Sequence, residues 1–439
     1  MANRTAQAFL MIPHCTLPRR LAGAIACMAS IAHALPAAAQ PAVAAGRYHN
    51  LGLSSDGRVL WWGTEFGHEK RVPPAYPRQV EGLPPAIAIA AGWEHSSAIT
   101  RDGSVYEWGY SPYRMRQVYL LQPMLGPCVV GAILSGGHGK DPCGPAERAR
   151  KARMHVERPM RIPGLPPAVA VAAADSHSAI VTRDGEVYCW GANAFPTKIR
   201  GLERIKAIAL GQFHGVALRD DGVVLGWGGA SGGAIAYQPE RSARLCENPG
   251  PTPFFIGAIA IAAYADSTYA LRADGSVWAW GSSWNGNPAL PKDVNPDNKP
   301  DAFVARRIAT LDGATTLGGG GAPSALTRQG LAVTWFRALF PKPGARQQPS
   351  TANIAALSSY SSILALRPDG FVCTMGDNMY GATDPGDKAM EVERFMPVAL
   401  GDGRGLLNLA DAGRAAPPDL CASQDTAAAG PGQSNPPTP

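Results

Sequence analysis

Apolar and polar residues alternate along this chain in short runs broken by glycine and proline. Ala86-Ile-Ala-Ile-Ala-Ala-Gly92 alternates small and branched apolar residues, and a second alternation surrounds Val105 and Trp108. A period of two is the signature of a strand with two unlike faces. Asp102-Gly103 precedes that second run, and Gly takes the positive φ of a primed turn, so a tight hairpin is predicted there. Pro77-Arg-Gln-Val80-Glu-Gly-Leu-Pro-Pro85 stands before this unit and matches Pro159-Met-Arg-Ile162-Pro-Gly-Leu-Pro-Pro167 position for position; residues 196–199 and 253–256 continue the series. Proline cannot donate to a ladder, which puts these segments on a sheet edge. Each unit therefore reads as a small antiparallel sheet preceded by a Pro-marked outer strand.

The unit recurs in one register: a His or small residue, seven positions to Asp-Gly, six more from the Asp to Trp. His49/Asp56/Trp62, His95/Asp102/Trp108, His177/Asp184/Trp190 and His214/Asp221/Trp227 are complete copies. Ser267/Asp274/Trp280, Ala322/Gln329/Trp335 and Ser362/Asp369/Met375 are degenerate ones. The steps between successive Asp positions are 46, 82, 37, 53, 55 and 40 residues. Self-similarity at such a period marks a repeat architecture. Seven small antiparallel sheets predict an all-β chain folded as a seven-bladed β-propeller. The first copy begins at 42–46 with no Pro-marked strand before it, and a spare one follows the seventh copy at 397–400. Pairing of these N- and C-terminal strands is expected to close the ring and leave no open edge.

The repeated residues resemble the regulator of chromosome condensation repeat family. Ala-Gly92-Trp-Glu-His95-Ser-Ser-Ala-Ile, Asp-Gly103-Ser-Val-Tyr-Glu-Trp-Gly109 and Gly376-Asp-Asn378-Met-Tyr-Gly381 carry its pattern, and the resemblance spans about residues 42–401. It implies a seven-bladed propeller. It also implies two contrasting activities: occlusion of an enzyme by an exported propeller, and guanine-nucleotide exchange on a nuclear GTPase. The sixth copy departs most, with Gly318 to Gly321 at a strand start and Phe336 where Gly is usual.

The first forty residues lie outside the repeats. Arg19-Arg20, an apolar run from Leu21 to Leu35 and Ala37-Ala38-Ala39 form a secretory signal pattern, so 1–39 is expected to be removed and 40–410 to form the propeller. No later run is long enough to span a bilayer. An exported, periplasmic or extracellular monomer is expected. Arg4, Arg19 and Arg20 would leave with the signal, so 37 basic residues face 34 acidic ones, too near balance to imply nucleic acid. Six cysteines would remain, which permits disulfides in an oxidising compartment. Cys128 and Cys143, fifteen positions apart in one insertion, are the favoured pair. Cys246 and Cys421 lie in irregular segments and form a second candidate pair; Cys189 and Cys373 fall within strands and read equally as buried thiols.

The register of His49, His95, His177 and His214 suggests one buried, hydrogen-bonded imidazole per blade rather than a metal ring. Asp56, Asp102, Asp184, Asp221, Asp274 and Asp369 are accounted for by their turns. No nucleophile elbow, zinc motif or phosphate loop is present, and no cofactor or metal is expected. Length concentrates instead between copies: an insertion at about 111–158, smaller ones at 231–250 and 285–299, and an Ala-, Pro- and Gly-rich tail over 411–439 expected to be disordered. Long loops on a rigid scaffold commonly carry function, although the first insertion reads equally as a cap. Trp93, Tyr110, Tyr113, Phe213, Tyr264 and Trp284 fall at loop positions and are candidate anchors for an unidentified protein partner. The leading expectation is thus a non-catalytic, exported protein-binding propeller, inhibitor-like or an envelope-interaction module. An enzyme acting on an extracytoplasmic polymer is the alternative, and nucleotide exchange is disfavoured by the export pattern.

Overall fold

The computed structural model describes residues 39–64, 76–121, 149, 152–191, 194–229, 233–235, 246, 253–281, 304–318, 324–328, 332–334, 346–348, 354–360, 362–378, 391–401, 405–411, 413–416 and 420–421. The expected signal segment, Cys128, Cys143 and Trp284 lie outside these residues.

Among the described residues, alternation is converted into seven four-stranded antiparallel sheets, the architecture of a β-propeller. In the second sheet the strands are Ala86–Ala91, His95–Thr100, Val105–Tyr110 and His155–Arg161, taken in chain order from the inner edge outward. The second strand of each sheet is buried over nearly its whole length, and completely at His95–Thr100 and His177–Thr182. The apolar faces of adjoining sheets pack together. Ile99, Val105, Ala168, Ile180 and Trp190 form one such core between the second and third sheets. Among the described residues, no helix is long and apolar enough to cross a membrane.

The phase of the repeat differs from the sequence reading. Each Pro-marked segment closes its own copy instead of opening the next. Arg78–Gln79 pairs with Leu60 and Trp61 of the first copy, and 155–161 pairs with the third strand of the second. Chain continuity favours this, because a short antiparallel return needs no crossing between sheets. No strand is then left over at the end. Glu391–Pro397 is the outer strand of the last sheet, paired with Val372–Asp377, and Val398 continues that edge by donating to Val372 O. The expected pairing of 397–400 with 42–46 does not form.

A different contact joins the two ends. The carbonyl of each described Asp-Gly glycine accepts the amide that begins the next sheet. Gly57 takes Ala86 at 2.8 Å, Gly103 takes Ala168 at 2.9 Å, and Gly222 takes Ala258 at 3.0 Å. At the last sheet Gly370 accepts from Leu409, at 2.8 Å. Leu409 therefore stands where a following inner strand would begin. Its carbonyl accepts from Ser55 N at 2.9 Å, and its side chain packs with Ala45 and Trp62 of the first sheet. Ala45 N donates to Ser358 Oγ and Ser362 Oγ to Asn50 Oδ1 along the same seam.

The Asp-Gly turns are also not of the primed two-residue kind. Gly103 N donates to Thr100 O and Thr100 N to Ser104 O, while positive φ falls at Gly103 and not at Asp102. This is a three-residue loop with glycine in the left-handed position. Asp102 is thereby freed to accept from Ser104 N and from the Thr100 and Ser104 hydroxyls, which hold its carboxyl down to about 2.

Disulfides join Cys189 to Cys246 and Cys373 to Cys421. This corrects both the expected Cys246–Cys421 pair and the free thiols at 189 and 373. Each bond ties a strand cysteine to one about fifty residues further along the chain, a proximity that spacing does not reveal. Leu420 and Cys421 are buried in the last sheet's core, so the expected disordered tail is anchored as far as 421; residues 422–439 lie outside the described set.

Candidate functional site

Antiparallel order puts two kinds of connection at each end of every sheet. The Asp-Gly turns and the links to the next sheet share one end. The inner-to-second and third-to-outer connections share the other. Each insertion found in the sequence joins a third strand to an outer one, so the strand ends that flank it share one face with the inner connections 46–48, 92–94, 174–176, 211–213, 265–266 and residue 360.

Those inner connections converge. Gly46 and Gly92 allow it at their positions: a Cβ on Gly92 would lie 2.4 Å from Ala174 O and 2.6 Å from the His95 ring. Trp93 N donates to that same Ala174 carbonyl, and Arg47 N to Gly92 O, so successive connections lie edge to edge. The Arg47 guanidinium rests 3.8 Å from the Trp93 ring centroid and 5.3 Å from that of Tyr48. Tyr360 OH donates to Asp175 Oδ1 at 2.8 Å, and Tyr264 meets Tyr360 edge-on at 6.4 Å. Burial raises the Asp175 carboxyl, opposed by the Tyr360 bond and the Arg47 charge. Burial, together with the Asp175 charge, pushes both tyrosine hydroxyls well above the ordinary phenol range. Beneath this rim the inner strands enclose a cavity of about 190 Å³, lined by Ala45, Ala91, Ala173, Ala263 and apolar neighbours such as Ile89 and Ile261.

The four histidines lie one layer outward, wholly enclosed. His49 Nε2 meets Ser96 Oγ at 2.8 Å, His95 meets Ser178 at 2.9 Å, and His214 meets Thr268 at 3.0 Å. Each partner is the residue after the repeat position in the neighbouring sheet; after His177 that place is Gly215, which has no hydroxyl. Burial pushes these imidazoles down to about 3 or 4, so all four are neutral, and three of them meet a hydroxyl through Nε2. Glu107 joins the row. It accepts from Ser178 Oγ at 2.7 Å, Trp190 Nε1 at 2.9 Å and Ser111 Oγ at 2.6 Å, and burial raises its carboxyl. A serine between an imidazole and a carboxylate suggests hydrolytic chemistry, but His95, Glu107 and Ser178 are all fully enclosed, and no substrate can reach them.

Of the candidate anchors, Trp93 and Tyr264 enter the rim. Phe213 is 49% exposed on the same face. Tyr110 is half-buried against His155. Tyr113 is not an exposed anchor: it sits in the helix Pro112–Leu121, buried, with its ring edge-on to Phe195. That helix opens the long insertion and packs on the third sheet. The sequence reading overlooked Arg47, Asp175 and Tyr360. They share with Trp93 the place two residues before the repeat's His or Ser, a column whose chemistry changes from copy to copy while its neighbours do not. Among the described residues, no group of three or more His, Cys, Asp or Glu could hold a metal ion.

The profile of the regulator of chromosome condensation (RCC1) repeat matches residues 168–195 and 205–233. No curated protein matches the chain. Prp20p from Saccharomyces cerevisiae, whose structure is reported with its binding to Gsp1p and histones, is 18% identical with a TM-score of 0.58, covering 79% of this chain and 86% of that one. Human WBSCR16 is 16% identical with a TM-score of 0.54, covering 76% and 92%. At these identities the likeness is one of fold.

Proposed function

We propose that this RCC1-repeat β-propeller is an exported, non-catalytic protein-binding scaffold, a closed ring of seven blades whose partner docks on the face bearing the long connections. The observation that carries the reading is the convergence of Arg47, Trp93, Asp175, Tyr264 and Tyr360 on one rim, on the side where every insertion emerges. Trp, Tyr and Arg at the centre of a contact face are the residue types that dominate binding energy. The Tyr360–Asp175 hydrogen bond, the Arg47–Trp93 contact and the edge-on Tyr264–Tyr360 pair hold them in place beforehand, which lowers the ordering cost of association. Export is supported by the 19–39 pattern and by two disulfides, which persist in oxidising compartments. The seam at Leu409 supports ring closure.

The test is affinity capture from native envelope extract on immobilised protein. A Trp93→Ala/Tyr264→Ala variant should lose the specifically retained partner at least about tenfold, given the roughly 2 kcal/mol typical of a central aromatic. Arg204→Ala, on the turn face, should retain it. Equal retention by the rim variant, at unchanged circular dichroism, rejects this face. N-terminal sequencing of exported chain should begin near Gln40; an intact Met1 in the cytosol rejects export.

A further inference from the structure

Positive charge is concentrated in one part of this chain. The first insertion, residues 111–158, holds eight basic side chains and three acidic ones, which leaves 32 against 31 for all the rest. It therefore carries five of the six net positive charges. In its described part the basic residues are Arg114, Arg116, Arg153 and Arg158, and the one carboxylate is Glu157.

Three of these arginines stand where the insertion leaves and rejoins the second sheet. The helix Pro112–Leu121 is fixed at its start by Ser111, whose hydroxyl accepts from Arg114 N and donates to the buried Glu107. Arg114 Nε donates to the Arg153 carbonyl at 3.2 Å and its Nη1 to Gln117 Oε1 at 3.0 Å, so the outgoing helix and the returning chain are tied together. Two positions further on, the Arg116 guanidinium lies 5.7 Å from the ring centroid of Phe195, which is 38% exposed and backed by Tyr113. Arg114 and Arg153 are exposed and Arg116 is half-buried. On the turn face Arg58, Arg204, Arg219, Arg307 and Arg367 each pair with an aspartate. Among the described residues Arg114, Arg116 and Arg153 pair with no carboxylate, so this root of the insertion presents cations without counter-charges from the fold. It lies on the same face as the aromatic rim, because the helix starts at the rim end of the strand Val105–Tyr110.

We propose that this root receives an acidic segment of the protein partner, its carboxylates facing Arg114, Arg116 and Arg153 and an apolar side chain resting on Phe195. The assignment rests on the reading that a protein docks on this face. Complementary charge of this kind mainly speeds encounter and fixes orientation. Exposed Phe195 beside the guanidiniums favours a polypeptide carrying an apolar residue, and Glu157 on the following strand opposes an unbroken run of phosphates.

A fluorescein-labelled peptide, Glu-Asp-Glu-Phe-Glu-Asp-Glu, is the probe, titrated into the full-length chain and followed by anisotropy. Saturable binding below about 100 μM is expected at about 50 mM salt, weakening at about 200 mM as the exposed charges are screened. The neutral peptide Gln-Asn-Gln-Phe-Gln-Asn-Gln should bind at least about tenfold more weakly. Arg114→Gln/Arg153→Gln should weaken the acidic peptide about fivefold, and Arg204→Ala should leave it unchanged. Arg153 is exposed, so Arg153→Glu, with a similar expected loss, decides the matter even if the double variant fails to fold. No saturation up to about 1 mM peptide, equal affinity for the neutral peptide, or no effect of either arginine variant overturns the proposal. Tighter binding of a short oligothymidylate or of phosphatidylglycerol vesicles than of the peptide also overturns it, in favour of a general polyanion or membrane contact. The Trp93→Ala/Tyr264→Ala variant should bind the peptide like wild type. Peptide binding without any loss of captured partner in that variant rejects the rim as the docking centre, whereas that loss without peptide binding rejects the acidic segment alone.

Discussion

Glu107 occupies a repeat position held by Trp61, Cys189, Gly226 and Ala279 in other copies, and a carboxylic acid there has consequences for stability. Burial raises its carboxyl above 4.5, so the fold prefers the neutral acid. Its stabilising contribution is complete below that pH and is lost as pH rises through the folded value. Glu107→Gln keeps the shape and removes this loss, so its melting temperature should exceed that of wild type more at about pH 8 than at about pH 4. Glu107→Ala should cost about 3 kcal/mol, because Trp190 Nε1 and the Ser178 hydroxyl lose their acceptor. The histidines act in the opposite sense. Their folded values lie near 3 to 4, below the ordinary 6.5, so their contribution is complete above 6.5 and is lost as pH falls towards the folded values. Each imidazole should remove about 1.4 kcal/mol per pH unit across that window. Four histidines outweigh one glutamate, so denaturant melts from pH 7 to pH 4 should show a net loss of stability in acid; a flat profile contradicts neutral, enclosed imidazoles.

Among the elements, the segment 405–421 is the one whose role the repeat does not announce. Leu409 takes the place of a missing strand start beside Ser55, and Cys421 fastens the segment to Cys373. Truncation after Cys421 should leave melting unchanged. Truncation after Gly401 removes Leu407, Leu409 and the disulfide together, exposing the first sheet's inner edge, and should cost far more. Cys373→Ala/Cys421→Ala separates the two effects: a disulfide spanning 48 residues contributes about 4 kcal/mol in the chain-entropy model. Equal melting of the two truncations would refute a structural role for Leu409.

At the scale of the whole molecule, the two faces differ in kind. The turn face is made of short loops with local ion pairs, such as Arg219 with Asp221 and Arg307 with Asp312. The other face carries every long connection and the aromatic rim. Replacing 122–148 with a short Gly-Ser linker should leave the circular dichroism and melting intact, because the helix Pro112–Leu121 and the strand His155–Arg161 supply the insertion's anchors. Partner capture should then fall if the insertion is a wing of the contact face. If capture persists while the rim variant abolishes it, the insertion is a cap and the rim alone binds.

The sequence by itself determined the repeated antiparallel strands and the burial of the four histidines. These depend on alternation, on glycine at left-handed positions and on proline at edges, all of which act within a few residues. It also pointed to Trp93 and Tyr264. The phase of the sheets, the contact that joins their ends, the cysteine pairs and the rim were decided by tertiary structure. Ser55 meets Leu409, Tyr360 meets Asp175 and Cys189 meets Cys246 across separations that no local period encodes. The ring geometry brings them together, because a connection repeated around an axis aims side chains from several copies at the same region.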